Sequence, residues 1–186
     1  MAKSKGLITG TISGMIGKEL VFRDWEEKVI VAKAPGQRST PATAAQEVIM
    51  ENFTTGATYA KNILQDPLMA EAYRKARKPR QNLYSRALQD FVNPPVVKTI
   101  TAREYTGAAG DKIVVRAEDD FRVDKVFVEI LAAGGNLLEN GFAVVQPNGI
   151  NWTYTATLPN AAVPGTTIRA TATDVPGNET TLEIIL

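Results

Sequence analysis

The sequence predicts an α+β chain in which a β-hairpin and three helices precede an all-β, two-sheet sandwich. Two observations carry this. Apolar residues recur at helical spacing between about residues 39 and 93, and then alternate with period two from about 94 to 186. Between these patterns stands Asn93-Pro94-Pro95. Adjacent prolines stop a helix and stiffen a junction, so the boundary is placed there, giving domains 1–93 and 94–186.

The opening residues are strand-like but studded with glycine at Gly6, Gly10, Gly14 and Gly17, with Leu7, Ile8, Ile12, Met15 and Ile16 between them. Glycine at this density weakens a strand and permits close backbone approach. Gly17-Lys18-Glu19 lacks the Ser/Thr that a phosphate loop requires. Glu19-Leu20-Val21-Phe22-Arg23 and Lys28-Val29-Ile30-Val31-Ala32-Lys33 flank a short polar break and read as a hairpin, which Pro35-Gly36 ends.

The first helix is expected from Ser39 or Thr40 as cap, with Pro41 at the first helical position. Val48, Ile49, Phe53, Ala57, Ala60, Ile63 and Leu64 form its apolar stripe, and Thr54-Thr55-Gly56 marks a kink. Asp66-Pro67 opens a second helix carrying Leu68, Met69, Ala72, Tyr73 and Ala76, which Pro79 ends. A third carries Leu83, Tyr84, Ala87, Leu88 and Phe91.

The last region alternates through Ile113, Val115 and Ala117, through Val126, Val128 and Ile130, and through Trp152, Tyr154, Ala156 and Leu158. Ile168, Ala170 and Ala172, then Leu182, Ile184 and Leu186, complete it. Turn signals such as Gly134-Gly135-Asn136, Pro147-Asn148-Gly149 and Pro176-Gly177-Asn178 separate the runs. About seven short strands in roughly 90 residues is the pattern of a two-sheet sandwich. Leu186 lies within the last strand and is expected to be paired.

Composition narrows the chemistry. The 186 residues include no Cys and no His. Disulfides, thiolate metal sites, cysteine nucleophiles and every Ser-His or Cys-His pair are thereby removed. No Gly-x-Ser-x-Gly elbow occurs. No unbroken apolar run follows the basic start Met1-Ala2-Lys3-Ser4-Lys5, because Thr9-Gly10-Thr11 interrupts Leu7-Ile8. A secretory leader is therefore not expected here, nor is a membrane-spanning segment.

The net charge of +1 conceals a split. Residues 1–93 hold 14 Lys/Arg against 9 Asp/Glu, while residues 94–186 hold 7 against 11. Complementary halves steer one copy onto the next, although each half can equally present a solvated surface. The densest basic stretch is Arg74, Lys75, Arg77, Lys78, Arg80 and Arg86, flanked by Tyr73 and Tyr84. A pI near 7.9 falls short of a dedicated nucleic-acid binder, so nucleic acid is not an expected partner. Both tyrosines fall on apolar helix faces, where core packing accounts for them.

Asp119, Asp120, Asp124 and Asp174 form the one acidic constellation of the all-β region. Asp119, Asp120 and Asp174 are the calcium candidates, because a hard cation takes six to eight oxygens. The same carboxylates can instead cap turns by accepting backbone amides. No EF-hand spacing is present.

The run Ala170-Thr171-Ala172-Thr173-Asp174-Val175-Pro176-Gly177-Asn178-Glu179-Thr180 resembles the final hairpin of bacterial immunoglobulin-like domains, which often reads Ala-x-Asp-x-x-Gly-Asn-x-Thr. Ala117-Glu118-Asp119-Asp120-Phe121-Arg122-Val123-Asp124-Lys125-Val126 resembles the turn between their second and third strands. The resemblance covers about half the chain and implies an immunoglobulin-like sandwich. The whole layout, with its Gly-rich start, Trp25 hairpin and Thr40-Pro41 helix start, also resembles an uncharacterised family of Bacteroidota, which implies architecture and no activity.

The reading that follows is a non-enzymatic structural subunit forming a head-to-tail homopolymer, in a filament or in a surface or virion assembly outside the cell. Residues about 7–33 would contact the next copy, with Leu20, Phe22, Trp25, Val29 and Val31 as anchors or, equally, as a private core against the first helix. The alternative is a monomeric immunoglobulin-like module that recognises glycan or protein through Phe121 and Trp152 near its loops.

Overall fold

Among the described residues, three antiparallel four-stranded sheets and three helices arise from these patterns, giving a mixed α+β architecture. The computed structural model describes residues 2–4, 13–25, 28–36 and 40–186. The chain divides into two compact units, Met1–Ala45 and Gln46–Leu186. The Asn93-Pro94 junction, expected as the domain boundary, lies inside the second unit, because side chains of the third helix bond to turns of the β region.

In the first unit, β1 (Ala2–Ser4), β2 (Gly14–Ile16), β3 (Leu20–Trp25) and β4 (Lys28–Lys33) form a sheet in the order β1-β4-β3-β2. The hairpin is as expected, with Trp25 opposite Lys28 and Phe22 opposite Val31. The glycine-rich stretch closes on the same sheet through a turn in which Gly17 and Lys18 are both left-handed, at φ 60° and 59°. Glu19 N–H donates to the Ile16 carbonyl across it at 3.1 Å. Residues 5–12, which carry Gly6, Leu7, Ile8, Gly10 and Ile12, and residues 26–27 lie outside the described residues, as does the candidate cap Ser39.

The helices are α1 (Ala44–Ile63), α2 (Pro67–Ala76) and α3 (Leu83–Val92). The expected start at Thr40-Pro41 is displaced, since α1 begins at Ala44. It also runs unbroken through Thr54-Thr55-Gly56. The Thr54 and Thr58 hydroxyls donate back to the carbonyls of Met50 and Thr54, at 2.8 and 3.2 Å, and so stay satisfied within the helix. Gly56 is a packing device: a Cβ there would meet Phe91 Cδ1 at 2.7 Å and Leu88 Cδ1 at 2.9 Å. The second helix starts as its sequence dictates, with Asp66 accepting from Leu68 N–H at 2.8 Å. Ala60, Tyr73 and Ala87 are buried where the helices meet, and Phe121 packs against them from the β region.

That region holds β5 (Val96–Thr101), β6 (Lys112–Glu118), β7 (Val123–Leu131), β8 (Leu137–Phe142), β9 (Val144–Val145), β10 (Asn151–Thr155), β11 (Thr167–Asp174) and β12 (Glu179–Ile185). They form two sheets, β5-β6-β10-β9 and β12-β11-β7-β8. Ile113, Val115, Val126, Val128, Ile130, Ile168, Ala170 and Ala172 from both sheets are fully buried in one core. Each such Val or Ile contributes about 1.5–3 kcal/mol by leaving water. Leu186 is tied in through N–H to the Thr166 carbonyl at 2.9 Å. Leu158 departs from the expected stripe and is exposed.

Candidate functional site

Charged and polar side chains meet where α3 bonds to the β6–β7 and β11–β12 turns. At the centre is Asp90. Leu83, Ala87 and Asp90 follow one stripe of α3, so the carboxyl is carried inward with the apolar residues, and Asp90 is 0% exposed. Tyr73 O–H from α2 donates to Asp90 Oδ2 at 2.7 Å, and the Tyr59 hydroxyl from α1 lies 3.0 Å from that of Tyr73. One hydrogen-bonded chain thus joins all three helices. Asp90 Oδ1 is buried without a partner.

The β turns supply the other side. Asp119 accepts from Phe121 N–H at 2.8 Å and Arg122 N–H at 2.9 Å, closing the β6–β7 turn, while its Oδ1 is buried and unpartnered. The turn so formed presents Phe121, whose ring stacks on Tyr73 at a centroid distance of 4.3 Å. Arg86 and Arg122 flank the same ring at 5.7 and 5.6 Å. Asp174 accepts from Gly177 N–H at 2.8 Å and Asn178 N–H at 2.6 Å. Asn178 also donates from Nδ2 to Asp174 Oδ2 and to the Phe91 carbonyl, pinning the β11–β12 hairpin to α3. Asp120 accepts from Gln89 Nε2 and Asn93 Nδ2, and its carbonyl accepts from Arg86.

The electrostatics follow from this crowding. Burial pushes the Asp90 carboxyl up to about 7, and the nearby charges of Asp119 and Asp174 push the same way, against the Tyr73 hydrogen bond and Arg86. Asp174 is also raised, by burial first, although its amide donors resist. Asp120 is lowered, chiefly by the Asn93 hydrogen bond. Tyr73 is raised far above the usual phenol range by burial and by its bonds to Tyr59 and Asp90.

Of the calcium candidates, Asp119 and Asp174 act on Asp90 through their charges, whereas Asp120 bonds to Gln89 and Asn93 of the α3 C-terminal end. Asp124 is exposed. Their bonded oxygens accept amide hydrogens, and those donors would face a cation with positive charge. Among the described residues no group of three or more acidic side chains is arranged to hold a metal ion. The observed role of Asp119 and Asp174 is turn closure. Asp90 belongs to no motif that the sequence displays, and Arg86, expected in the exposed basic stretch, is 3% exposed and bonds to the Asp120 carbonyl.

The remaining candidates lie elsewhere. Leu20, Phe22, Val29 and Val31 fall on one face of the N-terminal sheet, because opposed residues of an antiparallel pair share a side. Val29 is 2% exposed, Leu20 is 42% exposed, and Phe22 and Val31 are half-buried. Trp25 sits opposite Lys28 at the end of the hairpin. Arg74, Lys75, Arg77, Lys78 and Arg80 are exposed around the α2–α3 connection, but burial removes Arg86 from that patch. Phe121 and Trp152 are not free loop aromatics: Phe121 is stacked on Tyr73, and Trp152 is 6% exposed within β10. Among the described residues no helix is long and apolar enough to cross a membrane.

No protein-family model and no curated protein matches the chain. Among solved structures, a crystal structure of an engineered protein is similar at 23% identity, over 42% of this chain and 15% of that one, with a TM-score of 0.32. The chain therefore spans about 15% of that protein's length.

Proposed function

We propose that the protein is a non-enzymatic structural subunit that assembles with copies of itself through its N-terminal sheet, and that its two-sheet half is an immunoglobulin-like sandwich. One observation carries this reading. The Met1–Ala45 sheet bears apolar residues on both faces, yet Val29 and Ala34 are its buried hydrophobic side chains among the described residues. Met15, Ile16 and Leu20 are 57%, 53% and 42% exposed. A single sheet is stable when another layer covers its apolar face, and a second copy supplies one.

The contact differs from simple donation of residues 7–33. β3 and β4 pair with each other, β1 with β4 and β2 with β3. Among the described residues β1 and β2 are the outer strands, and Ile16 and Leu20 are exposed on one face beside the half-buried Phe22. Edge strands expose unpaired amides and carbonyls, which a strand of the next copy satisfies. A contact between unlike surfaces is heterologous and propagates into rings or filaments.

Light scattering coupled to size-exclusion chromatography, with negative-stain imaging, tests this. The full chain should grow in mass with concentration. Ile16→Asp with Leu20→Asp should return it to monomer, while circular dichroism keeps the signature of the intact second unit. A full chain that stays monomeric at every concentration and ionic strength defeats the reading.

The binding-module alternative retains one supporting feature, the exposed Phe142, Val144 and Val145 where the chain passes from β8 to β9. Its expected loop aromatics, Phe121 and Trp152, are already occupied.

A further inference from the structure

We propose that Asp90 is a proton-operated latch: uncharged, it lets α3 seat on the β6–β7 and β11–β12 turns, and ionised, it repels Asp119 and Asp174 across the same buried space and loosens that seat. This stands apart from the assembly reading, since it concerns the Gln46–Leu186 unit alone.

The geometry supplies the reason. Asp90 Oδ1 and Asp119 Oδ1 are both buried without a donor, one from the helices and one from the β region. A buried acceptor lacking a donor is costly, and a buried unpaired charge costs more. A proton on Asp90 removes one of the charges. Cationic relief at the junction is already committed elsewhere, because Arg86 bonds to the Asp120 carbonyl and both Arg86 and Arg122 lie against the Phe121 ring. The groups facing Asp90 are Tyr73 from α2, Asp119 from the β6–β7 turn, Asp174 from β11, and Arg86 from its own helix. Tyr59 of α1 reaches it through the Tyr73 hydroxyl.

The direction with pH follows by linkage. A carboxyl raised in the folded chain, from the usual 3.8 to about 7, binds more protons folded than unfolded between those values. Its stabilising contribution is complete below the unfolded value and is lost as pH rises through about 7. The chain contains no His, so no imidazole titrates in that window and obscures the effect.

The test is thermal unfolding of the full chain between about pH 5 and pH 8, with Asp90→Asn as the uncharged counterpart. Asn keeps an acceptor for Tyr73 and offers a donor toward Asp119. The wild-type melting temperature should fall by several degrees across the range, the variant should fall by clearly less, and the variant should be the more stable at the upper end. There, hydrogen exchange in α3 and in residues 119–122 should be faster in the wild type than in the variant. If the variant does not fold, carboxyl carbon NMR of the wild type reads the titration of Asp90 directly. Parallel melting curves, equal exchange, or an Asp90 carboxyl that titrates near 4 like an ordinary one would each overturn the proposal. So would calcium chloride that raises the wild-type melting temperature at the upper pH and leaves the variant unmoved, because a cation and not a proton would then hold the junction.

Discussion

A methyl group decides how closely α1 and α3 approach. At Gly56 an added Cβ would fall 2.7 Å from the Phe91 ring and 2.9 Å from a Leu88 methyl, well inside contact distance. Alanine would gain about 1 kcal/mol of helix propensity. Forcing the helices apart costs about 1–3 kcal/mol in a packed interior, and Phe91 is also fixed through its carbonyl to Asn178 and its ring to Tyr59. Gly56→Ala should therefore lose up to about 2 kcal/mol in urea unfolding; a gain would mean the interface yields freely. This residue also shows where sequence reading stops. A glycine between threonines signals a helix break by propensity, and nothing local reveals that its missing side chain is filled by residues 32 and 35 positions away. Asp90 is the same problem inverted. Its stripe with Leu83 and Ala87 was available, but charge at that position argues for solvent unless the tyrosine and the turns that enclose it are known.

Whole elements were legible where alternation was unbroken. The stripes through Ile113, Val126 and Ile168 are all at 0–1% exposure, as period two requires. β5 was hidden because its register shifts between Val97 and Thr99, so its apolar residues lose the strict alternation. β8 was hidden because its inward residue is a carboxylate. Glu139 is 8% exposed, and Tyr154 O–H, Thr157 N–H, Thr157 O–H and Leu158 N–H all donate to its Oε2. A buried carboxyl so fully bonded is tolerated, yet it reads as a surface position. The β2–β3 connection makes a prediction of its own. Lys18 is held at φ 59° without the freedom of the Gly17 beside it, and a left-handed residue bearing a Cβ costs about 1 kcal/mol. Lys18→Gly should increase the hydrogen-exchange protection of β2 and β3 amides, less the small entropic loss in the unfolded chain. Weaker protection would show that the lysine side chain stabilises the turn by more than its strain.

At the scale of the molecule, the division at Ala45 sharpens the charge argument. Residues 1–45 hold 7 Lys/Arg against 4 Asp/Glu, whereas residues 46–186 hold 14 against 16. The unit with the exposed apolar sheet is thus the basic one, and the remainder is weakly acidic. In head-to-tail assembly the two contributions separate in kinetics. In the proposed assembly, long-range attraction between unlike charges would accelerate encounter, while apolar contact at Ile16 and Leu20 would set how long a docked copy stays. Salt shortens the screening length from about 10 Å at 0.1 M to about 3 Å at 1 M. Over that range the association rate of subunits should fall several-fold, with dissociation little changed, and growth followed by light scattering after dilution and mixing separates the two. Charge reversal at Lys18 and Lys33, which lie at the same end of β3 (Lys18 in the turn before Leu20, Lys33 opposite Leu20), should slow association further without hastening release. An association rate indifferent to salt would remove the charge halves from the mechanism and leave the uncovered sheet face as its sole drive.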